Sequence, residues 1–195
     1  RRLALWAIAV SGFCSLSYEV LWTRALVYIL DNTAQAFTTM LTAFLLGIAL
    51  GSLIVSRWLD QSKRLLVVFG LIEAAIGLLA LLSIPVFGNL GAVIGAPASG
   101  AFYPTESQVL WAFVRLGRSL AVMLVPTLLM GMTIPLATRI YARSNPAVGG
   151  AVGRVYAANT IGGVAGSFAA ALALLPLLGV YGSLMLVAAL NAVVG

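Results

Sequence analysis

The sequence predicts an all-α membrane protein, a polytopic bundle of about six transmembrane helices. Hydrophobic residues make up 62% of the 195 residues and charged residues only 8%, whereas a soluble domain carries about 25% charged residues. The mean hydropathy is +1.10. A water-soluble domain of this length could not keep so much apolar surface away from water, but a surface that faces lipid can be apolar. At about 20 residues for each crossing, the chain has room for six spans and short loops.

Apolar runs and the turn residues between them place the six spans. The predicted spans are 3–30, 34–58, 65–87, 109–141, 151–175 and 182–195, which form a single transmembrane domain over 1–195. The first span is longer than one crossing needs, because about 42 Å of helix at about 1.5 Å per residue exceeds an apolar layer of about 30 Å. It is therefore tilted, broken or extended beyond the lipid.

Glycines and prolines mark the contacts and bends of the other spans. Four glycines have the small-xxx-small spacing that allows two helices to pack closely: Gly47, Gly51, Gly162 and Gly166. Span 3 is expected to end near Pro85, span 4 to kink at one of its two prolines, and 176–181 to form a tight turn. Span 6 is too short to cross fully, so we expect the native protein to continue past residue 195.

The basic residues predict how the bundle is oriented. If the spans alternate in direction, most lysines and arginines fall on one side: Arg1, Arg2, Arg57, Lys63, Arg64, Arg139, Arg143 and Arg154. The other side carries Arg24, Arg115 and Arg118. Because loops that stay in the cytoplasm are enriched in Lys and Arg, we expect a bacterial inner-membrane protein with its N-terminus and the end near residue 195 in the cytoplasm. The same bias explains the net charge of +6, and no nucleic-acid partner is expected.

Charged residues near the outer ends of spans 1 and 4 are the first candidate site. Three acids and three bases lie at about the same level: Glu19, Asp31, Glu106, Arg24, Arg115 and Arg118. A charge near the bilayer centre costs about 2.5–3.5 kcal/mol, and pairing or contact with water lowers that cost. The group is therefore an ion-pair network that ties span 1 to span 4, a polar pocket for a small charged solute, or a set of charges exposed at the interface.

Glu73 is the second candidate, because it lies inside span 3 with no base at helical spacing. The sequence favours a pair with Arg57 or Arg154, which lie at about the right depth. The alternative is a proton or cation site.

Tyr156 and Asn159 follow Arg154 at the start of span 5. Asn159 can donate a hydrogen bond to another helix, a contribution of about 0.6–2 kcal/mol, and close helix packing is the favoured interpretation. The alternative is a water-accessible cavity lined by Glu19, Glu73, Tyr156 or Asn159.

No catalytic, metal or cofactor site is expected. The chain has no histidine, one cysteine and five carboxylates, which are too few ligands for a zinc or haem site. The glycine-rich stretch 162–166 lies inside an apolar helical run rather than after a strand, so it is not a nucleotide-binding loop.

Five segments are similar to one known family. They are SGF at 11–13, YEVLWTR at 18–24, AFLLGIALGS at 43–52, PTLLMGMTIPL at 126–136 and GRVYAANTIG at 153–162. In order and spacing they resemble the membrane region of bacterial spermidine-synthase-like proteins, where several membrane helices precede a cytoplasmic aminopropyltransferase-type domain. The soluble Rossmann-like domain that holds the catalytic sites of that family is absent from these 195 residues. No catalytic residue can therefore be carried over.

A second, weaker resemblance concerns the loop between spans 2 and 3. Asp60, Lys63 and Arg64 are similar to the basic loop of major-facilitator transporters. Six spans would equal half of such a transporter.

Three functions follow from the sequence. The first resemblance implies the membrane domain of a spermidine-synthase-like protein, which anchors or serves a cytoplasmic aminopropyltransferase-type domain. It implies transferase activity for a longer parent chain, not for these residues. The alternatives are a transporter-like module for a small charged solute such as a polyamine, and a scaffold or accessory subunit of a larger membrane complex. The expected partners are the lipid bilayer and either the protein's own cytoplasmic domain or other membrane subunits.

Overall fold

The computed structural model describes residues 2–27, 34–58, 64–93, 108–143 and 148–195. The helices are α1 (Arg2–Val27), α2 (Ala34–Trp58), α3 (Leu65–Val93), α4 (Gln108–Ala142), α5 (Val148–Ala169) and α6 (Leu175–Val194), with a π-helical turn, Ala170–Leu174, between the last two. No strand occurs in these described ranges. The prediction of an all-α bundle is confirmed.

Five stretches of helix are long and apolar enough to cross a membrane, and the chain is a membrane protein. Four of them lie within α1 to α4, and the fifth, Gly149–Val194, has 46 residues and contains both α5 and α6. At about 1.5 Å per residue this fifth stretch would measure about 70 Å as one helix, more than twice an apolar layer of about 30 Å. It therefore has the length of two crossings.

Gly179 is the position where the fifth stretch breaks. Its φ of 65° and ψ of −177° are not helical, and glycine adopts a positive φ at little cost because it has no Cβ. The hydroxyl of Ser183 donates a hydrogen bond to the Gly179 carbonyl oxygen at 2.5 Å. Pro176 stays inside the helical stretch, at the start of α6, and the π-helical turn Ala170–Leu174 directly before it accommodates the missing N–H. The turn expected over 176–181 is thus a single non-helical residue.

Prolines inside the other helices do not end them. Pro85 lies within α3, which continues to Val93, beyond the end predicted at residue 87. A membrane helix tolerates an internal proline when neighbouring groups satisfy the freed backbone carbonyl. Likewise, α4 runs from Gln108 to Ala142 through both of its prolines.

The contact between α1 and α5 shows that these helices are parallel. A methyl group added at Gly162 would overlap the Ala9 carbonyl, and one added at Gly166 would overlap the carbonyl of Phe13, one turn later on α1. The two backbones can meet only because neither position carries a Cβ. The Ser17 hydroxyl donates to the Gly166 carbonyl oxygen at 3.0 Å, which stabilises the same contact.

α6 runs antiparallel to α3. Gly77 lies against Ala188, whereas Gly70, two turns nearer the start of α3, lies against Gly195. α6 also contacts α1. The helices α1, α3 and α6 therefore pack against one another.

α2 and α4 form the second close pair. Thr38 and Val109, both near helix starts, line one shallow groove, so the two helices are parallel. Further along, a methyl group at Gly47 would overlap Thr127, and one at Gly51 would overlap the Leu128 carbonyl. Because the starts of α1 and α3 and the ends of α4 and α6 line one cavity, the six helices of the described part alternate in direction along the chain.

Tyr18 and Trp22 are the largest wholly buried side chains among the described residues. Their rings stack with centroids 5.3 Å apart, and the Trp22 indole N–H donates to the Ser83 hydroxyl at 3.2 Å. The outer surface carries large apolar side chains such as Leu177, which is 79% exposed. This distribution is typical of a bundle whose outer face meets lipid.

Candidate functional site

Arginines gather at one end of the bundle, where α1, α3 and α5 begin and α2, α4 and α6 end. Those described there are Arg2, Arg57, Arg64, Arg139, Arg143 and Arg154. We call this the basic end. Arg24 lies toward the opposite end of α1.

Glu73 is wholly buried on α3. Neither of its carboxylate oxygens has a hydrogen-bond partner among the described residues. The side chains of Ser11 on α1 and Asn191 on α6 face the carboxyl group, but neither meets hydrogen-bond geometry with it. Glu73 lies about 12 Å from the first residue of α3, at about 1.5 Å per residue. It is therefore well inside an apolar layer of about 30 Å.

α6 is tied to α3 beside this carboxyl group. The side-chain amide of Asn191 donates from Nδ2 to the backbone carbonyl oxygen of Glu73 at 2.8 Å. Asn191 is buried, and Gly77, one turn along α3, lets the α6 backbone approach at Ala188. The amide of Asn191 therefore donates to the backbone of Glu73 and forms no hydrogen bond with its carboxylate oxygens.

α1 supplies the remaining polar groups near Glu73. The hydroxyls of Ser11 and Tyr18 are buried and have no partner among the described residues. Cys14 donates weakly from Sγ to the Val187 carbonyl oxygen at 3.7 Å, and both Cys14 and Tyr18 lie within electrostatic range of Glu73. We call these residues the Glu73 cluster: Ser11, Cys14, Tyr18, Glu73 and Asn191.

Unsatisfied polar atoms are concentrated in the Glu73 cluster. The described part has six buried side-chain oxygens without a partner, and four of them belong to Ser11, Tyr18 and Glu73. The other two belong to Ser119 and Thr138 on α4. Folded proteins satisfy nearly all buried polar groups. The unsatisfied oxygens of the Glu73 cluster therefore make it the candidate site of the described part.

A cavity of about 370 Å³ opens at the basic end, between α1, α3, α4 and α6. Its lining residues Ala7, Gly70 and Gly195 lie about one helical turn from the cluster, toward the basic end. On the α4 side it is lined by Tyr141, whose hydroxyl accepts a hydrogen bond from Nη1 of Arg154 at 3.4 Å. The cavity thus lies between the cluster and the basic end.

The pair expected between Glu73 and Arg57 or Arg154 is not formed. Arg154 is exposed and donates to Tyr141 instead. Arg57 is exposed at the end of α2, and the described part of α2 makes no contact with α3. The sequence suggested a similar depth for all three residues, but both arginines lie at the basic end, and the arrangement of the helices keeps them away from Glu73.

The predicted group of outer charges is only partly described. Glu19 is half-buried and Arg24 is exposed on α1. Asp31 and Glu106 lie outside the described residues, as do the side chains of Arg115 and Arg118. Since α1 packs chiefly against α5 and α6 and only slightly against α4, an ion-pair network between spans 1 and 4 stays a prediction.

Tyr156 and Asn159 lie on α5 and are not members of the Glu73 cluster. Tyr156 is 52% exposed. Asn159 is half-buried, and its backbone carbonyl and side-chain oxygens lie against Gly12 of α1. The four spaced glycines lie at the α1–α5 and α2–α4 contacts: Gly162, Gly166, Gly47 and Gly51.

Four members of the cluster were not predicted as site residues from the sequence: Ser11, Cys14, Tyr18 and Asn191. Asn191 is the one side-chain amide in the predicted span 182–195. A lone amide in an apolar span is a signal for a helix contact, although it does not say which helix is contacted.

Within the described residues, no group of three or more His, Cys, Asp or Glu side chains could hold a metal ion. Chemically, the cluster offers a carboxyl, two hydroxyls, a thiol and an amide.

The chain is 30% identical over 202 aligned residues to "Polyamine aminopropyltransferase 2" of Streptomyces coelicolor. The alignment covers all of this chain and 33% of that protein, so the chain spans about a third of the length of the curated relative it matches. The predicted resemblance is confirmed, and an apolar helical chain similar to part of an aminopropyltransferase fits a membrane domain of such a protein. No protein-family profile matches the chain, and no solved structure matches it.

Proposed function

We propose, from its similarity over the whole chain to a third of a polyamine aminopropyltransferase, that this chain is the membrane domain of such an enzyme. In this proposal it anchors a catalytic aminopropyltransferase-type domain at the cytoplasmic face of the bacterial inner membrane. The similarity to that relative is the observation that carries the proposal. The helical bundle supports it, because its apolar outer face suits lipid.

The chemistry of the described residues also supports an anchoring role. They hold no set of side chains that could bind a metal, and the Glu73 cluster is buried inside the bundle, where a soluble donor and acceptor could not reach it. The transfer reaction is therefore assigned to the part of the full-length protein outside this chain. The bilayer and that catalytic part are the proposed partners.

The arginines of the basic end support the orientation. Basic residues next to membrane spans stay in the cytoplasm, and each contributes about 1 kcal/mol of attraction to an anionic membrane surface. Because α1 begins and α6 ends at the basic end, a domain joined to either end of the chain would lie on the cytoplasmic side.

Fractionation of the full-length gene product tests the proposal. We expect aminopropyl transfer to a polyamine acceptor in the membrane fraction, and transfer in the soluble fraction once residues 2–195 are deleted. A deletion variant whose activity stays with the membranes would show that another part of the protein is the anchor. A full-length protein without aminopropyl transfer would contradict the assigned enzyme class.

The second candidate function is a transporter-like module for a small charged solute such as a polyamine. It is favoured by one observation, the buried carboxyl group of Glu73 next to a cavity of about 370 Å³. Uptake of labelled spermidine into proteoliposomes would distinguish it from an anchor. Uptake that is lost in Glu73→Gln would support transport. If the protein shows no uptake, only the anchoring role remains.

A further inference from the structure

We propose that Glu73 is a proton-binding site inside the membrane, and that its proton exchanges through the basic end of the bundle. The proposal rests on the burial, the partners and the position of the Glu73 cluster. It does not depend on the proposed anchoring role.

Glu73 has a buried carboxyl group without a charge partner in the described part of the chain. Both Glu73 carboxylate oxygens are sealed from solvent, and no basic side chain bonds to them in the described part of the chain. An ionised carboxylate without a partner in such a place carries a desolvation penalty of several kcal/mol. A bound cation or a bound proton would remove that penalty, so the site calls for one of the two.

The space beside the carboxyl group favours a proton over a larger cation. Glu73 is not among the residues that line the cavity, and its two oxygens have no accessible surface. In the described conformation, a metal ion or an ammonium group therefore has no space beside the carboxyl group. A proton needs no such space, because it becomes part of the carboxyl group itself.

The hydroxyls of α1 and the cavity form the proposed path of the proton between Glu73 and the basic end. The Ser11 and Tyr18 hydroxyls lack partners, and a hydroxyl can both accept and donate a proton. Ser11 is two turns nearer than Tyr18 to the start of α1 at the basic end. The cavity ends about one turn, or about 5.4 Å, from Ser11 and Glu73.

The opposite direction is longer and closed. Glu73 lies about 12 Å from the start of α3 but about 30 Å from its end, at about 1.5 Å per residue. The buried Tyr18–Trp22 stack lies on that side, and Trp22 is tied to Ser83 of α3 at 3.2 Å. The basic end is therefore the shorter route to water.

Proton uptake moves one proton from water in the cavity to the Glu73 carboxylate. A hydronium ion in the cavity gives one proton to the Ser11 hydroxyl. After a rotation of the Ser11 side chain, which faces the carboxyl group, the hydroxyl passes its own proton to the Glu73 carboxylate. The carboxylate becomes a neutral acid and the hydronium ion becomes water. Release reverses these steps. The titratable groups facing Glu73 are Cys14 and Tyr18 of α1. α6 contributes the neutral amide of Asn191, and α4 and α5 contribute Tyr141 and Arg154 at the cavity.

Infrared difference spectroscopy tests the site on the full-length protein in lipid nanodiscs. We expect a carbonyl band of a protonated carboxylic acid that grows and shrinks reversibly with pH. The band should be lost in Glu73→Gln and kept in Glu19→Gln, the matched control. If Glu73→Gln does not fold, Glu73→Asp identifies the band by shifting its frequency.

A hydroxyl deletion tests the path. Ser11→Ala should slow the response of the band to a pH jump about tenfold, which corresponds to an added barrier of about 1.4 kcal/mol. Ser17→Ala is the matched control, because its hydroxyl is buried on the same helix but bonds to Gly166 of α5. It should leave the rate unchanged.

Three results would overturn the proposal. A carboxyl band that does not depend on Glu73 would remove the site. A band that moves with sodium concentration at constant pH would identify a cation site instead. In vesicles of known orientation, a faster response to a pH jump at the end opposite the basic end would refute the path.

Discussion

The contact between α1 and α5 gives the sharpest test of the described packing, through the substitution Gly162→Ala. The added methyl group would overlap the carbonyl carbon and oxygen of Ala9. Backbone atoms cannot turn aside as a flexible side chain can, so α5 would have to move away from α1. The hydrogen bond from Ser17 to the Gly166 carbonyl oxygen, 3.0 Å long, would be stretched by the same movement.

Gly153→Ala is the matched control for the magnitude. Gly153 lies on the same helix, and a methyl group there meets nothing within 4 Å. Replacing glycine by alanine inside a helix raises stability by about 0.5–1 kcal/mol, and both variants share this gain. The difference between them is the overpacking cost, about 1–3 kcal/mol. We therefore expect Gly162→Ala to unfold more easily than Gly153→Ala by that amount.

Unfolding of the purified protein in mixed micelles with increasing sodium dodecyl sulfate measures this difference. The free energy of unfolding is obtained for both variants from tryptophan fluorescence. Equal free energies for the two variants would refute the close approach of α5 to α1. A gain in stability at Gly162 would refute it as well.

Three further predictions concern buried polar groups. Asn191→Ala removes the 2.8 Å bond to the Glu73 carbonyl oxygen and should lower the free energy of unfolding by about 0.6–2 kcal/mol; an unchanged value in the same assay would mean that the bond contributes nothing. Cys14 is buried, so a maleimide should label it only after denaturation, and rapid labelling of the folded protein would contradict its position. Ser83→Ala leaves the indole N–H of Trp22 without its acceptor and should cost about 1–3 kcal/mol, whereas a neutral result in the unfolding assay would place that N–H near another acceptor.

The fold class is predictable from the sequence because the bilayer restricts it. An apolar chain can span lipid only when its backbone polar groups bond to each other, as they do in helices. The exact breaks are less predictable. Pro176 suggested a turn, but the helix passes it and breaks at Gly179. The π-helical turn Ala170–Leu174 lies directly before it, and such a local adjustment lets a membrane helix accommodate a proline.

The candidate site is less predictable than the fold. The depth of Glu73 inside the apolar layer follows from counting residues along α3. Its neighbours depend on which helices touch and on how each is rotated, and hydropathy carries little information on either. Arg57 and Arg154 lie at the basic end and not beside Glu73. Asn191 lies beside it because α6 packs against α3.

The side of the membrane at which α6 ends is the most direct test of the proposed cytoplasmic anchor. Green fluorescent protein and alkaline phosphatase can each be fused after Gly195 and, as the matched control, inserted at Asn32 between α1 and α2. Alkaline phosphatase needs disulfides and is active only in the periplasm. We predict fluorescence without phosphatase activity at Gly195, and phosphatase activity at Asn32. Phosphatase activity at Gly195 would place the basic end in the periplasm and contradict the proposed function.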